Sequence, residues 1–128
     1  MPHFFNDDPK GNISTGNFSP SVSGQSNIAA MTHFDMKYMR VGNMVTVSGN
    51  ANVQASVANT QTVFELSLPI ASDFTSSDDG TGSGGHLFQP ISPVLISCST
   101  ANNTLQFIWN PTSTLNAQLN YVAMYEIK

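Results

Sequence analysis

From residue 44 to residue 53 the chain alternates without a slip. Val45, Val47, Gly49, Ala51 and Val53 fall on one face of an extended strand, and Met44, Thr46, Ser48, Asn50 and Asn52 fall on the other. The first set is apolar and the second largely polar, which describes a strand with one core face and one wetter face. A helix would need its apolar positions to return every three or four residues instead. Directly before this run stand Gly42 and Asn43, a pair that tolerates the positive φ angles of a tight two-residue turn, and before them residues 32–41 form another run of strand formers. Together they read as a β-hairpin.

The rest of the chain has the same grammar. In residues 61–68, Phe64, Leu66 and Leu68 alternate against Val63, Glu65 and Ser67, and Pro69 ends the strand or confines its tail to an edge. Residues 73–85 are the longest tract of low hydrophobicity and read, on composition, as a flexible, exposed surface loop. Short strands are expected at 86–89 and 94–100, around Pro90 and Pro93. Asn102-Asn103 then supplies a second tight turn into 104–110, with Leu105, Phe107 and Trp109 on one face. In the last strand, residues 119–127, Tyr121, Ala123, Tyr125 and Ile127 oppose Asn120, Val122, Met124 and Glu126. Residues 1–27 lack this periodicity and read as an extended N-terminal arm, packed on a neighbour, with one short strand around Ile13–Phe18; residues 28–128 make the folded domain. Nowhere does a helical stripe persist for three turns. Seven or eight short strands separated by turns predict an all-β fold, an antiparallel, jelly-roll-like β-sandwich. Several strands are apolar on both faces, and trimerisation would cover their outer sides and protect strand edges.

Composition narrows the function. Charged residues are only 9% of the 128, against about 25% in a typical soluble domain. Polarity comes instead from 16 Ser, 11 Thr, 13 Asn and 6 Gln, side chains that serve turns, strand faces and intersubunit hydrogen bonds without titrating. Four basic residues and a net charge of −4 argue against nucleic acid and against docking on anionic lipid. No apolar run of about 18 residues suggests membrane insertion, and the N-terminus lacks the basic and apolar regions of a secretory signal, so synthesis in a cytoplasm is expected. Cys98 is the one cysteine, which excludes an intrachain disulfide and a cysteine-based zinc cluster; it reads as a small buried hydrophobe.

Catalytic and metal-binding patterns are sought with little return. His3, His33 and His86 are scattered, with no nucleophile elbow and no metal-ligand spacing, although folding would bring His33 to Asp35 or His86 to Asp78 if either pair served chemistry. Asp7-Asp8 precedes Pro9 in a turn. Asp78-Asp79-Gly80 offers oxygens of the kind Ca²⁺ takes, without the spacing of an EF-hand, and a solvated loop is the preferred reading. The Gly80–Gly85 tract lacks the ending of a phosphate-binding loop. Trp109, Tyr121 and Tyr125 are candidates for a carbohydrate-stacking surface, weighed against a core or interface role that their alternation serves equally well. No enzyme activity and no cofactor are expected.

Four phrases carry a resemblance: Tyr38-Met39-Arg40-Val41-Gly42-Asn43-Met44-Val45-Thr46-Val47-Ser48-Gly49, then Phe64-Glu65-Leu66-Ser67-Leu68-Pro69-Ile70-Ala71-Ser72, then Asn103-Thr104-Leu105-Gln106-Phe107, and finally Tyr121-Val122-Ala123-Met124-Tyr125-Glu126-Ile127. In order and spacing they resemble the small β-domains of tailed-phage tail fibres, head fibres and spikes. That resemblance implies a compact trimeric β-sandwich of the virion, made in the cytoplasm of a bacterial host, without catalytic residues. The partners it implies are copies of itself, other virion proteins reached through the arm, and, for a host-attachment role, a host cell-surface glycan. Fibre domains of this kind often cap a long repetitive shaft, and this chain has none, which favours a capsid decoration, vertex, head-fibre or short spike protein. The alternative is a host-receptor or carbohydrate-binding module of a fibre or spike.

Overall fold

Three residues join strands that lie at opposite ends of one sheet, and that connection dictates the shape of the molecule. The computed structural model describes residues 13–87 and 89–128, with the backbone alone at 89–92. Its strands are β1 (Ile13–Phe18), β2 (Val22–Ser26), β3 (Ile28–His33), β4 (Met36–Val41), β5 (Met44–Ala55), β6 (Thr62–Leu66), β7 (Gly80–His86), β8 (Gln89–Ser99), β9 (Thr104–Trp109) and β10 (Ala117–Glu126), with a single 3-10 turn at Ser77–Asp79 before β7. All pair antiparallel in one sheet of order β1-β4-β5-β10-β7-β8-β9-β6-β2, and β3 shares an edge of β5 with β4. Laid flat, the nine-strand path would separate β1 from β2 by about 38 Å. Ser19-Pro20-Ser21 reaches at most about 14 Å from Phe18 to Val22. The sheet therefore curls into a half-barrel that brings its two ends together.

The inner face of the curl is the core. Val45, Val47, Ala51 and Val53 of β5, Leu119, Tyr121, Ala123 and Tyr125 of β10, Val94, Ile96 and Cys98 of β8, and Leu105, Phe107 and Trp109 of β9 all point inward and are buried together. Phe64 of β6 stacks on Phe107 with ring centres 4.5 Å apart, Trp109 meets Phe64 edge-on at 5.7 Å, and Tyr121 meets Phe107 edge-on at 4.8 Å. The last contact links β10 to β9 across the cavity of the curl, skipping the two strands between them in the sheet.

β7 is the middle strand of the path, between β10 and β8, and it corrects the largest misreading of the sequence. The expected flexible loop at 73–85 is instead the capped turn and most of a strand paired on both sides, with β10 and with β8. Its inward positions are Gly80, Gly82 and Gly84. A Cβ on Gly82 would stand 2.5 Å from the Val122 carbonyl oxygen, and one on Gly80 would stand 2.4 Å from the Cys98 sulfur. The strand is glycine because neighbouring strands fill the space that its side chains would take, so apolar content is a poor guide to its burial.

Other expectations need smaller adjustments. The described residues make ten strands where seven or eight were expected, and these pair in a single curled antiparallel sheet instead of the two sheets of a sandwich. The hairpin turn at Gly42-Asn43 is present, with β4 and β5 in register from Val41 opposite Met44, and the positive φ (+60°) falls on Gly42 alone. The turn at Asn102-Asn103 is wider than expected: Ser99 pairs with Thr104 across four residues, with Asn103 at φ +54°. Pro90 and Pro93 do not separate two strands. Both fall within β8, where its ladder with β7 is interrupted between Gln89 and Val94. Part of the expected arm is sheet: β1 pairs with β4 and β2 pairs with β6, so residues 13–26 are edge strands of the domain. Residues 1–12, including His3 and Asp7-Asp8, lie outside the described residues.

Candidate functional site

The aromatic residues singled out from sequence are core. Tyr125 is fully buried, and Trp109 and Tyr121 are each only 4% exposed. A carbohydrate-stacking face needs rings open to solvent, so these three do not form one. Burial pushes the Tyr125 phenol up to about 12 and the Cys98 thiol also to about 12, and it raises Tyr121 as well. None of the three is poised to give up a proton near neutral pH.

The acidic pair has a structural task. Ser76 and Asp79 form a capping box around the 3-10 turn: the Asp79 carboxylate accepts from the Thr75 and Ser76 backbone N–H groups at 2.8 and 3.1 Å, and Ser76 Oγ accepts from Asp78 N. Lys128 Nζ lies 3.3 Å from Asp79. These contacts, the Thr75 N–H first, hold the Asp79 carboxyl below its ordinary value. Asp78 is exposed beside it. Among the described residues no three His, Cys, Asp or Glu side chains gather to hold a metal ion.

Among the described residues neither histidine forms an ion pair with the carboxylate considered from sequence, although Asp35 lies near enough to His33 for its charge to act there. His86 ends β7, roughly 20 Å along the strand from the Asp78 turn, and its ring packs against Trp109 with centres 5.3 Å apart. His33 Nε2 is hydrogen-bonded to Tyr121 Oη at 2.9 Å, and its Nδ1 is buried without a partner. Burial lowers the His33 pKa, partly offset by the Phe34 backbone and by the nearby Asp35 charge.

Asp35 marks a feature that the sequence reading missed. Residues 32–41 were expected as one strand, yet β3 and β4 are offset by one residue along β5. His33 faces Ala51 and Lys37 faces Ser48, so three residues (34–36) oppose two (Gly49 and Asn50). This is a β-bulge, the device that breaks a ladder and re-aims side chains. Phe34 N keeps one bond to the Asn50 carbonyl at 3.2 Å. Beside the bulge lies a solvent-open hollow of about 270 Å³ lined by Asp35, Lys37, Ser48, Gly49, Asn50 and Tyr121. Gly49 is bare because the Tyr121 phenol lies over it: a Cβ there would stand 2.6 Å from Tyr121 Oη. A signal was present in the sequence. Inward positions are odd-numbered through Met31 and His33 and even-numbered through Met36, Tyr38 and Arg40, and that change of phase locates the bulge.

A third arrangement links the phrases of the resemblance. Tyr125 Oη accepts from Ile70 N at 3.1 Å and donates to Ile70 O at 2.7 Å. Ser72 Oγ donates to the Glu126 carbonyl at 2.8 Å and accepts from Lys128 N at 3.0 Å. Ile127 N donates to the Asn43 carbonyl at 2.7 Å. The Leu-Pro-Ile-Ala-Ser segment, the hairpin turn and the final strand are thus tied at one end of the molecule. Comparison with known families, with characterised proteins and with solved structures finds no match to this chain.

Proposed function

We propose that the chain is a non-enzymatic structural protein of a phage virion, a capsid decoration, vertex, head-fibre or spike component, that works as a homotrimer. The observation that carries this reading is the outer face of β1, β4, β5 and β10. Ile13, Met39, Val41, Met44 and Met124 are exposed there at 37 to 50%. The register makes them neighbours: Ile13 faces Val41, Val41 faces Met44, and Thr46 lies between Met39 and Met124. Scattered apolar residues on a surface need no explanation, but a contiguous group on four adjacent strands marks an interaction surface. A charge-poor chain suits burial of that face against copies of itself, because little charge is desolvated.

The sequence phrases support the same reading. They resemble virion β-domains, and the hydrogen bonds that tie them together give a physical reason for such phrases to occur in one chain. Attachment to other virion proteins is assigned to the N-terminal residues. The test is quantitative mass spectrometry of density-purified virions from a lysate in which the chain is expressed from its own genome. Co-purification at a copy number divisible by three supports the proposal, and absence from intact particles overturns it.

The alternative, a glycan-binding module, has lost its aromatic platform to the core. What now supports it is the polar cavity at the bulge.

A further inference from the structure

We infer that the cavity beside the β3–β4 bulge is a binding site for one neutral sugar unit. Its lining contains a carboxylate (Asp35), an ammonium (Lys37), a hydroxyl (Ser48), a carboxamide (Asn50) and the phenol of Tyr121. Among the described residues, the Asp35, Lys37, Ser48 and Asn50 side chains have no hydrogen-bond or ion-pair partner. Asp35 and Lys37 are exposed and Ser48 and Asn50 half-buried, so all four polar groups meet solvent at the hollow and are free to turn to a ligand there.

The lining selects the ligand class. One negative and one positive charge cancel, so an anion meets Asp35 unfavourably and a cation meets Lys37 unfavourably. An apolar ligand would strip water from four polar side chains and return no hydrogen bonds. A polyhydroxylated neutral ring satisfies both kinds of group, because each hydroxyl donates to a carboxylate or amide oxygen and accepts from an ammonium or amide N–H. At about 270 Å³ the space lies just under the usual range of ligand pockets, which fits a single sugar ring. The wall is rigid: Tyr121 is fixed by His33 and by its contact with Phe107, and Gly49 lies beneath the phenol. A bulge beside a strand that keeps its partner on the other edge holds Asp35 and Lys37 without spoiling the sheet.

The inference is independent of the virion reading, because a sugar titration reports on the cavity whatever the chain assembles with. The experiment is a titration of the ¹⁵N-labelled full chain, following amide shifts, with glucose, galactose, mannose and N-acetylglucosamine in turn. Glycine betaine and inorganic phosphate serve as dipolar and anionic probes. At least one sugar should give saturable shifts centred on residues 35–37 and 48–50, with a dissociation constant on the order of 1 mM. Asp35→Ala and Asn50→Ala should each weaken binding about tenfold and leave the melting temperature unchanged, since neither side chain has a partner to lose. Maltotriose and chitotriose separate two sources: shifts at the same amides assign the end of a glycan, and shifts with monosaccharides alone assign a free sugar. No shifts with any sugar at tens of millimolar, shifts that persist in both variants, or equal shifts with betaine or phosphate would each overturn the inference.

Discussion

Tyr125 Oη occupies both hydrogen-bonding positions of the Ile70 backbone, accepting from its N–H at 3.1 Å and donating to its carbonyl at 2.7 Å. One hydroxyl thus takes the place of a neighbouring strand for a segment that leaves the sheet after Leu66. Its ring stays in the core, edge-on to Phe74 at 5.8 Å. Tyr125→Phe should keep that packing and lose the clamp, leaving two backbone groups short of a partner. A loss of about 2 kcal/mol in unfolding free energy is expected, read from urea denaturation at constant slope.

The glycines of β7 divide sharply by face. At Gly82 an added methyl meets backbone, 2.5 Å from the Val122 oxygen, whereas at Gly85 nothing stands within 4 Å. Gly82→Ala should cost about 3 kcal/mol or prevent folding, and Gly85→Ala should stay within about 0.5 kcal/mol of the parent. Thermal melts of the pair test whether β7 is a packed strand: as a loose loop, it would tolerate both changes alike.

Acid should weaken the fold in two separate steps. Burial lowers the His33 pKa below 6.5, so the unfolded chain takes up that proton first as the pH falls. Stability from this group is full above about pH 6.5 and declines as the pH drops toward the folded pKa. Asp79 is also lowered, chiefly by the Thr75 N–H, from 3.8. Its contribution is present above that value and is lost as the pH falls through the folded pKa. Denaturation midpoints measured from pH 8 down to about pH 2 should show the His33 decline first and the Asp79 decline below 3.8, and His33→Gln should remove only the upper one.

Charges placed on the outer apolar face should dissolve the assembly without harming the subunit. Met39 and Met124 are 48% and 43% exposed and lie on either side of Thr46. Met39→Asp combined with Met124→Asp should shift the sedimenting species to a single chain, with near-UV circular dichroism retained, because buried unpaired charge at an interface is strongly unfavourable.

How far the sequence foretold this molecule depends on how each strand meets the core. Strands that bury side chains were legible. Val45 and Val47 against Thr46 and Ser48, Leu105, Phe107 and Trp109 in β9, and Tyr121, Ala123 and Tyr125 in β10 lie on the faces that their alternation assigned. β1 runs from Ile13 to Phe18, as its short pattern indicated. β7 was missed because it buries backbone instead of side chains, although glycine at positions 80, 82 and 84 is itself a period of two. β2 was missed because Val22 is its one apolar residue, and it is held by β6. The single curled sheet depends on the order in which distant strands pair, which local patterns do not encode. The hollow went unread although the change of phase between His33 and Met36 marks the one-residue offset: that pattern shows where the ladder breaks beside Gly49 and not that Asp35, Lys37 and Asn50 line one space. The three aromatics chosen as binding candidates show the converse limit, since alternation placed them on one face without saying whether that face was open.

The central claim, a subunit built to assemble through its outer β1-β4-β5-β10 face, is tested most directly by the mass of the full chain in solution. Sedimentation equilibrium at micromolar concentration should return three times the 13.7 kDa chain mass. A species of 13.7 kDa across that range would contradict the account.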